Sequence, residues 1–428
     1  MDPTRMTAVD TLAAIRRGDL TCESVMARCL EVAAEREPTL KAFAYLDPDR
    51  ALAAARDLDA AGAPGPLAGL PFAPKDIIDT ADQPTQYNSP IYAGFRPARD
   101  AACVALLRSA GAVIMGKAVT TEFAFSFAGP TTNPHDPGRT PGGSSSGSAA
   151  GVAAGLFHMA FGTQTGGSVI RPASFCGVHA LKPTFDTVGR DGVKPLGDSL
   201  DTVGWYGRSV ADLALLFDVL TGVAPGSVAR PGLPDRLRIG VCMTPMAHLA
   251  EAEMANAVAR AAATLADAGH EVSELVLPGE FAALYDDHKT IMAVEGARSL
   301  LREYVTAPEL LSEPMRGLVE EGRAVDVERE RAARDRAEAA KPMLDRILAG
   351  YDAVLTPSSP GEPPEGLEST GDAVFNRLWT LLHVPCLSLP AAWSGRGLPL
   401  GLQLVTRRWD DRRLLAVGER VADVLLAR

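Results

Sequence analysis

An α/β fold is what this sequence predicts: a mixed, twisted central β-sheet covered by helices on both faces. Three observations carry that expectation. Segments with strand character and segments with helical apolar spacing interleave along the chain, the pattern of a layered α/β protein. Glycine and proline are plentiful, 40 and 32 in 428 residues, which calls for many tight turns and loops in place of a helical bundle. Apolar residues make up 46% and charged residues 22%, a globular balance that excludes wholesale disorder.

The elements follow in order. Helical spacing fills residues 8–17 and 21–36, parted by Gly18 as a stop and restarted by Thr21 as an N-cap. Residues 48–61 read as another helix with Pro48 in its first turn. A Gly/Pro-rich crossing at 62–74 leads into PKDIIDT. Residues 101–110 are helical and AVIM at 112–115 is a short buried strand. From Gly129 to Gly147 the chain is almost all turn formers. An alanine-rich helix at 148–155 follows, then the strand-like LFHMAFGTQ, then GGSVIRP. Helical spacing resumes at 209–221. RLRIGVC reads as a strand, 251–269 as a helix, and much of 281–349 as helix interrupted near Pro308 and Gly322. AVLTPSSP, PCLSLPAA and LPLGLQLV then alternate strand and turn before a last helix near 411–426. The Pro/Gly-rich stretch 222–236 has the look of a boundary, but strands on either side can join one sheet. Residues 1–428 are therefore read as one domain: a helical segment 1–61, a region of about 69–220 that holds the chemistry, and a part from about 237 to 428 that completes the same sheet.

Charge and composition exclude several functions. Acidic residues number 53 against 42 basic ones, for a net charge of −11, the opposite of what a nucleic-acid backbone binder needs. No apolar run approaches the roughly 18–20 residues of a membrane span. The first twenty residues carry charges inside their apolar stretch, so neither membrane nor signal peptide is expected. Cysteines 22, 29, 103, 176, 242 and 386 lack the spacing of a metal site. They are expected to be reduced, buried thiols of a cytoplasmic protein without zinc. Only seven basic residues are lysines: 41, 75, 117, 182, 194, 289 and 341. Codon bias towards arginine is the plain cause, but a lysine kept in such a chain can also stand where an amine able to lose its proton is needed.

Three segments could carry chemistry: Lys75 in PFAPKDIIDT, the loop PGGSSSGSAAG at 141–151, and GTQTGGSVIRP at 162–172. Singly, each has a plainer explanation, as a surface ion pair, a flexible turn or a helix start. Gly143-Ser144-Ser145-Ser146-Gly147 matches GxSxG literally, but NPHDPGRTP before it cannot easily form the buried strand of a nucleophile elbow. A phosphate-cradling loop is also conceivable, yet no Gly-Lys-Ser/Thr or GxGxxG pattern follows. Taken together the three segments suggest more. A serine needs a base before it can attack an amide carbonyl, and a lysine whose pKa is lowered by burial can be that base. A second serine between them can pass the proton. Paired glycines before Ser168 let several N–H groups converge into an oxyanion hole.

Lys75-Asp76, PGGSSSGSAA at 141–150 and GTQTGGSVIRPASFCGV at 162–178 together resemble the amidase signature family. Further blocks extend the resemblance over most of the chain: SLDTVGWYGRSVADLALL at 199–216, YDAVLTPSSP at 351–360, and NRLWTLLHVPCLSLP with LPLGLQLV in 376–405. The resemblance implies the amidase signature fold. It makes Lys75 the general base, Ser144 the bridging serine after a cis peptide at Gly143–Ser144, and Ser168 the nucleophile. The N–H groups of Thr165, Gly166, Gly167 and Ser168 would form the oxyanion hole, with Ser145 and Thr163 as supporting hydrogen-bond partners. No metal or organic cofactor is implied, and a homodimer is.

Two departures from the family pattern matter. Gln164 stands where many members have aspartate, and Arg171 comes three residues after the nucleophile instead of two. This variant, with STGDAVFNRLWTL at 369–381, is most similar to malonamidase-type members, in which the displaced arginine reaches the substrate carboxylate. Arg171 is thus a candidate to grip an acid group beside the amide, the alternative being that it braces the loop. The expected substrate is a small carboxylic amide, a malonamate-like acid monoamide among the options. The catalytic A-type subunit of a glutamine-dependent amidotransferase, or an amidase for ureides or aryl amides, stands as the alternative.

Overall fold

Ten strands join one mixed sheet in the computed structural model, which describes residues 2–228 and 231–427. Ala229 and Arg230, inside the stretch 222–236, lie outside the described residues. In chain order the strands are β1 (Phe43–Leu46), β2 (Pro71–Ala73), β3 (Val113–Ile114), β4 (Gly116–Ala118), β5 (Met159–Gln164) and β6 (His179–Lys182). Then come β7 (Thr202–Gly207), β8 (Arg238–Val241), β9 (Glu271–Glu274), β10 (Ala353–Pro357), β11 (Cys386–Trp393) and β12 (Pro399–Val405). The order across the sheet is β3-β2-β5-β7-β6-β11-β12-β10-β8-β9, with β1 and β4 as a separate antiparallel pair. Pairing is parallel from β3 to β5 and again from β10 to β9, and antiparallel between.

The helices are α1 (Ala8–Arg17), α2 (Cys22–Leu40), α3 (Pro48–Ala60), α4 (Ala102–Ser109), α5 (Ser146–Ala154), α6 (Ile170–Cys176) and α7 (Val210–Leu220). They continue with α8 (Ala252–Asp267), α9 (Leu284–Ser299), α10 (Leu301–Thr306), α11 (Glu313–Ala324), α12 (Val327–Leu348), α13 (Val374–Leu381) and α14 (Asp411–Leu425). Their bounds have local causes. The Thr7 side chain accepts from Asp10 N–H to start α1, and Gly18 ends it at φ +78°. Thr21 and Ser24 form a reciprocal capping box on α2.

Alternation along the strands explains the covering of both faces. In β5, Met159 and Phe161 join one apolar cluster and Ala160 another; in β10, Ala353 and Leu355 face away from Val354. One face takes Leu213 and Leu216 of α7 with Leu414 and Val417 of α14. The other takes Val25 and Met26 of α2 with Ala149 of α5, and farther along Leu344 of α12 with Leu378 of α13.

Two of the expected helices end or break elsewhere than expected. Helix α2 runs past residue 36, through Pro38, to the buried Leu40, because Lys41 closes it in a left-handed conformation and Glu37 accepts the N–H groups of Ala42 and Phe43. Gly322 does not interrupt a helix; it lies inside α11. A Cβ there would stand 2.0 Å from Ala293 O, so this glycine allows α11 to lie against α9 and the break falls after it, at Val325 and Asp326.

Candidate active site

Lys75 follows β2 and sits beside Ala118 of β4 in an isolated bridge. It is fully buried. Its Nζ lies 2.7 Å from Ser144 Oγ and 2.9 Å from Thr163 Oγ1 of β5. Burial pushes the amine down from 10.5 to about 7, and the charge of Asp201 acts against that shift. A neutral amine can donate an N–H to Thr163 and still turn its lone pair to the Ser144 hydroxyl. The Gly143–Ser144 peptide bond is cis.

Ser168 lies beyond the end of β5, just before α6. At 8% exposure, against 0% for Lys75 and 1% for Ser144, it is the member of the set that a substrate can reach. It lines a cavity of about 100 Å³ together with Thr165, Gly166, Gly167, Arg171 and Arg377. Its hydroxyl makes no hydrogen bond among the described residues. Ser145 points elsewhere. Its Oγ lies 3.3 Å from the Thr163 N–H, it is fully buried, and it lies outside the cavity. The GxSxG alternative therefore places its serine out of reach. The phosphate alternative fares no better, because the Gly147 N–H is already bonded to Val119 O.

The loop from Thr165 to Ser168 is held by its carbonyls. A trans peptide is planar with C=O and N–H opposed, so fixing one carbonyl aims the next N–H. The His288 ring lies 2.8 Å from Thr165 O and so orients the Gly166 N–H. Burial holds that imidazole neutral, pushed down to about 3, so Nε2 carries the hydrogen that Thr165 O accepts. Thr380 Oγ1 donates to Gly166 O at 2.7 Å and so orients the Gly167 N–H. Thr165 Oγ1 donates to Asp201 at 2.5 Å, and Tyr206 OH donates to Ser168 O at 3.2 Å. The N–H groups of Gly166, Gly167 and Ser168 donate no hydrogen bond among the described residues, which leaves them free for a developing oxyanion. At Gly167 a Cβ would stand 2.4 Å from Asn376 Oδ1, so only glycine lets the loop pass α13 this closely.

Gln164 explains its own departure from the family pattern. Its Oε1 accepts the N–H groups of Val169 and Ile170 at 2.9 and 3.0 Å, and its Nε2 donates to Thr380 Oγ1 at 3.0 Å. The amide supplies the acceptor a carboxylate would supply, and adds a donor. Arg171 is buried, and its Nη2 donates to Gly143 O at 2.6 Å and to Thr370 Oγ1 at 3.0 Å. It therefore touches both the peptide before Ser144 and the cavity. Burial, then the charge of Arg377, lowers its pKa to about 10, so it stays cationic at neutral pH.

Asp201, His288, Arg377 and Thr380 are the residues that reading the sequence did not single out. Three of them lie in the blocks 199–216 and 376–405 that extend the resemblance, which was the available signal. His288 had none: it stands on α9, in the least distinctive part of the chain.

Sheet and site together define an enzyme that breaks amide bonds. The chain belongs to the amidase family, whose model matches residues 24–415. It is 34% identical to the A-type subunit of the glutamyl-tRNA(Gln) amidotransferase of Chloroflexus aurantiacus, over 97% of this chain and 95% of that one. It is 33% identical to the putative amidase AmiD of Mycobacterium bovis, covering 96% and 92%. A crystal structure of an amidase superposes with a TM-score of 0.89 at 30% identity, over 98% of this chain and 100% of the other. No described helix is long and apolar enough to cross a membrane, and no metal-ligating cluster occurs among the described residues.

Proposed function

We propose that the protein hydrolyses a small amide carrying an acid group, of the malonamate type, through an acyl-enzyme. Neutral Lys75 takes the Ser168 proton by way of Ser144, and Ser168 Oγ attacks the amide carbon. The tetrahedral oxyanion is met by the N–H groups of the 165–168 loop. The proton returns along the relay to the amide nitrogen as the C–N bond breaks, and ammonia leaves. Water, deprotonated by the same relay, then attacks the ester and frees the acid and Ser168. Ser145 and Thr163 hold Lys75 and β5 in register. The observation that carries the acid-group choice is the pair of guanidinium groups, Arg171 and Arg377, on the wall of the cavity that holds Ser168. Its volume of about 100 Å³ favours a short substrate.

A second function has its own support. The identity with the glutamyl-tRNA(Gln) amidotransferase chain of Chloroflexus aurantiacus runs over nearly the full length of both proteins, so this chain can be read as the ammonia-releasing member of such a complex, with glutamine as the amide. Unpaired thiols at all six cysteines agree with the reducing compartment that either function would use. One experiment separates them. The purified chain alone is assayed for ammonia release from malonamate, malonamide, glutamine, an aryl amide and a ureide, and its mass in solution is measured by light scattering. Turnover of malonamate well above the others supports the hydrolase, and a homodimer is the mass we expect. Turnover of glutamine alone, or only with added partner proteins, supports the amidotransferase.

A further inference from the structure

We propose that Arg377, and not Arg171, is the residue that grips the acid group of the substrate, with Asp372 as an internal competitor that the substrate displaces. The inference rests on the acid-amide function proposed above and assigns the specificity within it.

The two guanidinium groups are held very differently. Arg171 is 6% exposed; one nitrogen serves Gly143 O and Thr370 Oγ1, and its Nε is sealed in without a partner. Its Nη2 bonds hold the peptide that precedes Ser144, so that nitrogen is occupied in keeping the relay serine in place. The Arg377 side chain is 22% exposed and has one ion pair, to Asp372 Oδ1 at 3.4 Å. Its guanidinium makes no hydrogen bond among the described residues, so five N–H donors face a partner that satisfies few of them. Asp372 is itself half-exposed, and an exposed ion pair of this length is weak. A carboxylate brought in by a bound substrate can replace it with bidentate geometry at closer range.

Position agrees with that role. Arg377 begins in the first turn of α13, and its Cγ passes 3.8 Å from where a Cβ on Gly166 would be. The side chain therefore lies over the loop whose N–H groups face the reacting carbonyl. An acid held there sits a short distance from that carbonyl, as a short monoamide requires. The charge of Arg377 also acts on both Arg171 and His288, so the cavity wall carries an excess of positive charge that an anion relieves.

The test compares malonamate with malonamide, equal in size and different in charge, in the wild type and in Arg377→Gln, Arg377→Lys, Asp372→Asn and Arg171→Gln. Arg377→Gln is expected to lower kcat/KM for malonamate about 10- to 100-fold, mainly through KM, and to leave malonamide within about threefold. Arg377→Lys should recover part of the loss. Asp372→Asn should lower KM for malonamate, since the competitor is gone; a residue that only braced the fold would not produce that gain. Arg171→Gln should lower kcat on both substrates alike. Thermal melts identify any variant that fails to fold, and Arg377→Lys with Asp372→Asn then carries the comparison. If Arg377→Gln keeps the wild-type preference, or only Arg171→Gln loses it, the assignment to Arg377 is overturned and the acid-amide function stands. If the wild type itself shows no preference for malonamate, the acid-amide function falls and the assignment with it.

Discussion

Asp201 accepts a 2.5 Å hydrogen bond from Thr165 Oγ1 and is also the carboxylate whose charge acts on Lys75. One side chain thus links the 165–168 loop, the oxyanion hole of the proposed mechanism, to Lys75, its proposed base. Asp201 Oδ2 takes the N–H groups of Leu196 and Gly197 as well, so the coupling is anchored in backbone. Replacing the acid by its amide keeps the shape and removes the charge. Asp201 favours protonated Lys75, so Asp201→Asn should move the acidic limb of the pH–rate profile to lower pH. A profile of kcat/KM against pH checks this. A limb that stays put or moves upward would show that Asp201 acts on the loop alone.

The wild-type limb itself follows from Lys75. In the proposed mechanism the working form is the neutral amine, and burial brings its pKa down from 10.5 to about 7. Activity should therefore rise with pH through about 7 and level above it. The same shift affects stability. Between about 7 and 10.5 the unfolded chain holds a proton that the folded chain does not, so folding becomes more favourable as pH rises through that window. Lys75→Met lacks this dependence. Its melting temperature should exceed that of the wild type most at or below pH 7, with the gap closing towards pH 10. A constant gap would mean that the lysine is not buried as a neutral amine.

Ser168 should be the residue that carries the acyl group. A fluorophosphonate is expected to label one serine, found by peptide mass spectrometry at Ser168, and Ser168→Ala should lose at least about 10⁴-fold in kcat. Ser145→Ala should remain measurably active. Labelling at Ser145 in an active Ser168→Ala enzyme would restore the nucleophile-elbow alternative.

Gln164 allows acceptor and donor to be tested apart. Gln164→Glu keeps an oxygen for the N–H groups of Val169 and Ile170, loses the donation to Thr380 and adds a carboxylate to a fully buried site. Gln164→Leu removes both and leaves two buried N–H groups unpaired, a cost of about 1–3 kcal/mol for each. We expect the leucine variant to melt several degrees below the wild type and the glutamate variant, which keeps the acceptor, to melt above the leucine variant. Equal melting of the two would show that the side chain does not cap α6.

Much of this was legible in the sequence because local chemistry fixed it. The stop at Gly18, the cap at Thr21, turn formers from Gly129 to Gly147 and apolar spacing placed most helices and the C-terminal strands. Lys75, Ser144 and Thr163 meet in one hydrogen-bonded cluster, and Ser168 stands with the glycine loop on the cavity wall. Less legible were contacts between segments far apart in the chain. His288 reaches Thr165, and Thr380 reaches Gly166, across 123 and 214 positions, and no spacing rule encodes such a meeting. Gly322 shows the converse: a residue that usually stops a helix is here the bare spot where α11 touches α9, visible only once the partner is known. Arg171 was singled out by its offset from Ser168, whereas Arg377 carried no offset to notice.

Strand order also governs how the chain can be made. Strand β6 pairs with β11 through Lys182 and Cys386, so during synthesis its outer edge waits about 200 residues, roughly 10–40 s at ordinary elongation rates. Until then an unpaired strand edge stands open, the kind of surface that recruits chaperones or another nascent chain. Strands β8 and β9 emerge meanwhile but have no route to that edge, since β10, β12 and β11 separate them from it in the finished sheet. The middle of the sheet is thus the last part translated. Ribosome-bound chains halted before residue 386 should be cut readily by protease, and those released beyond residue 405 should resist it.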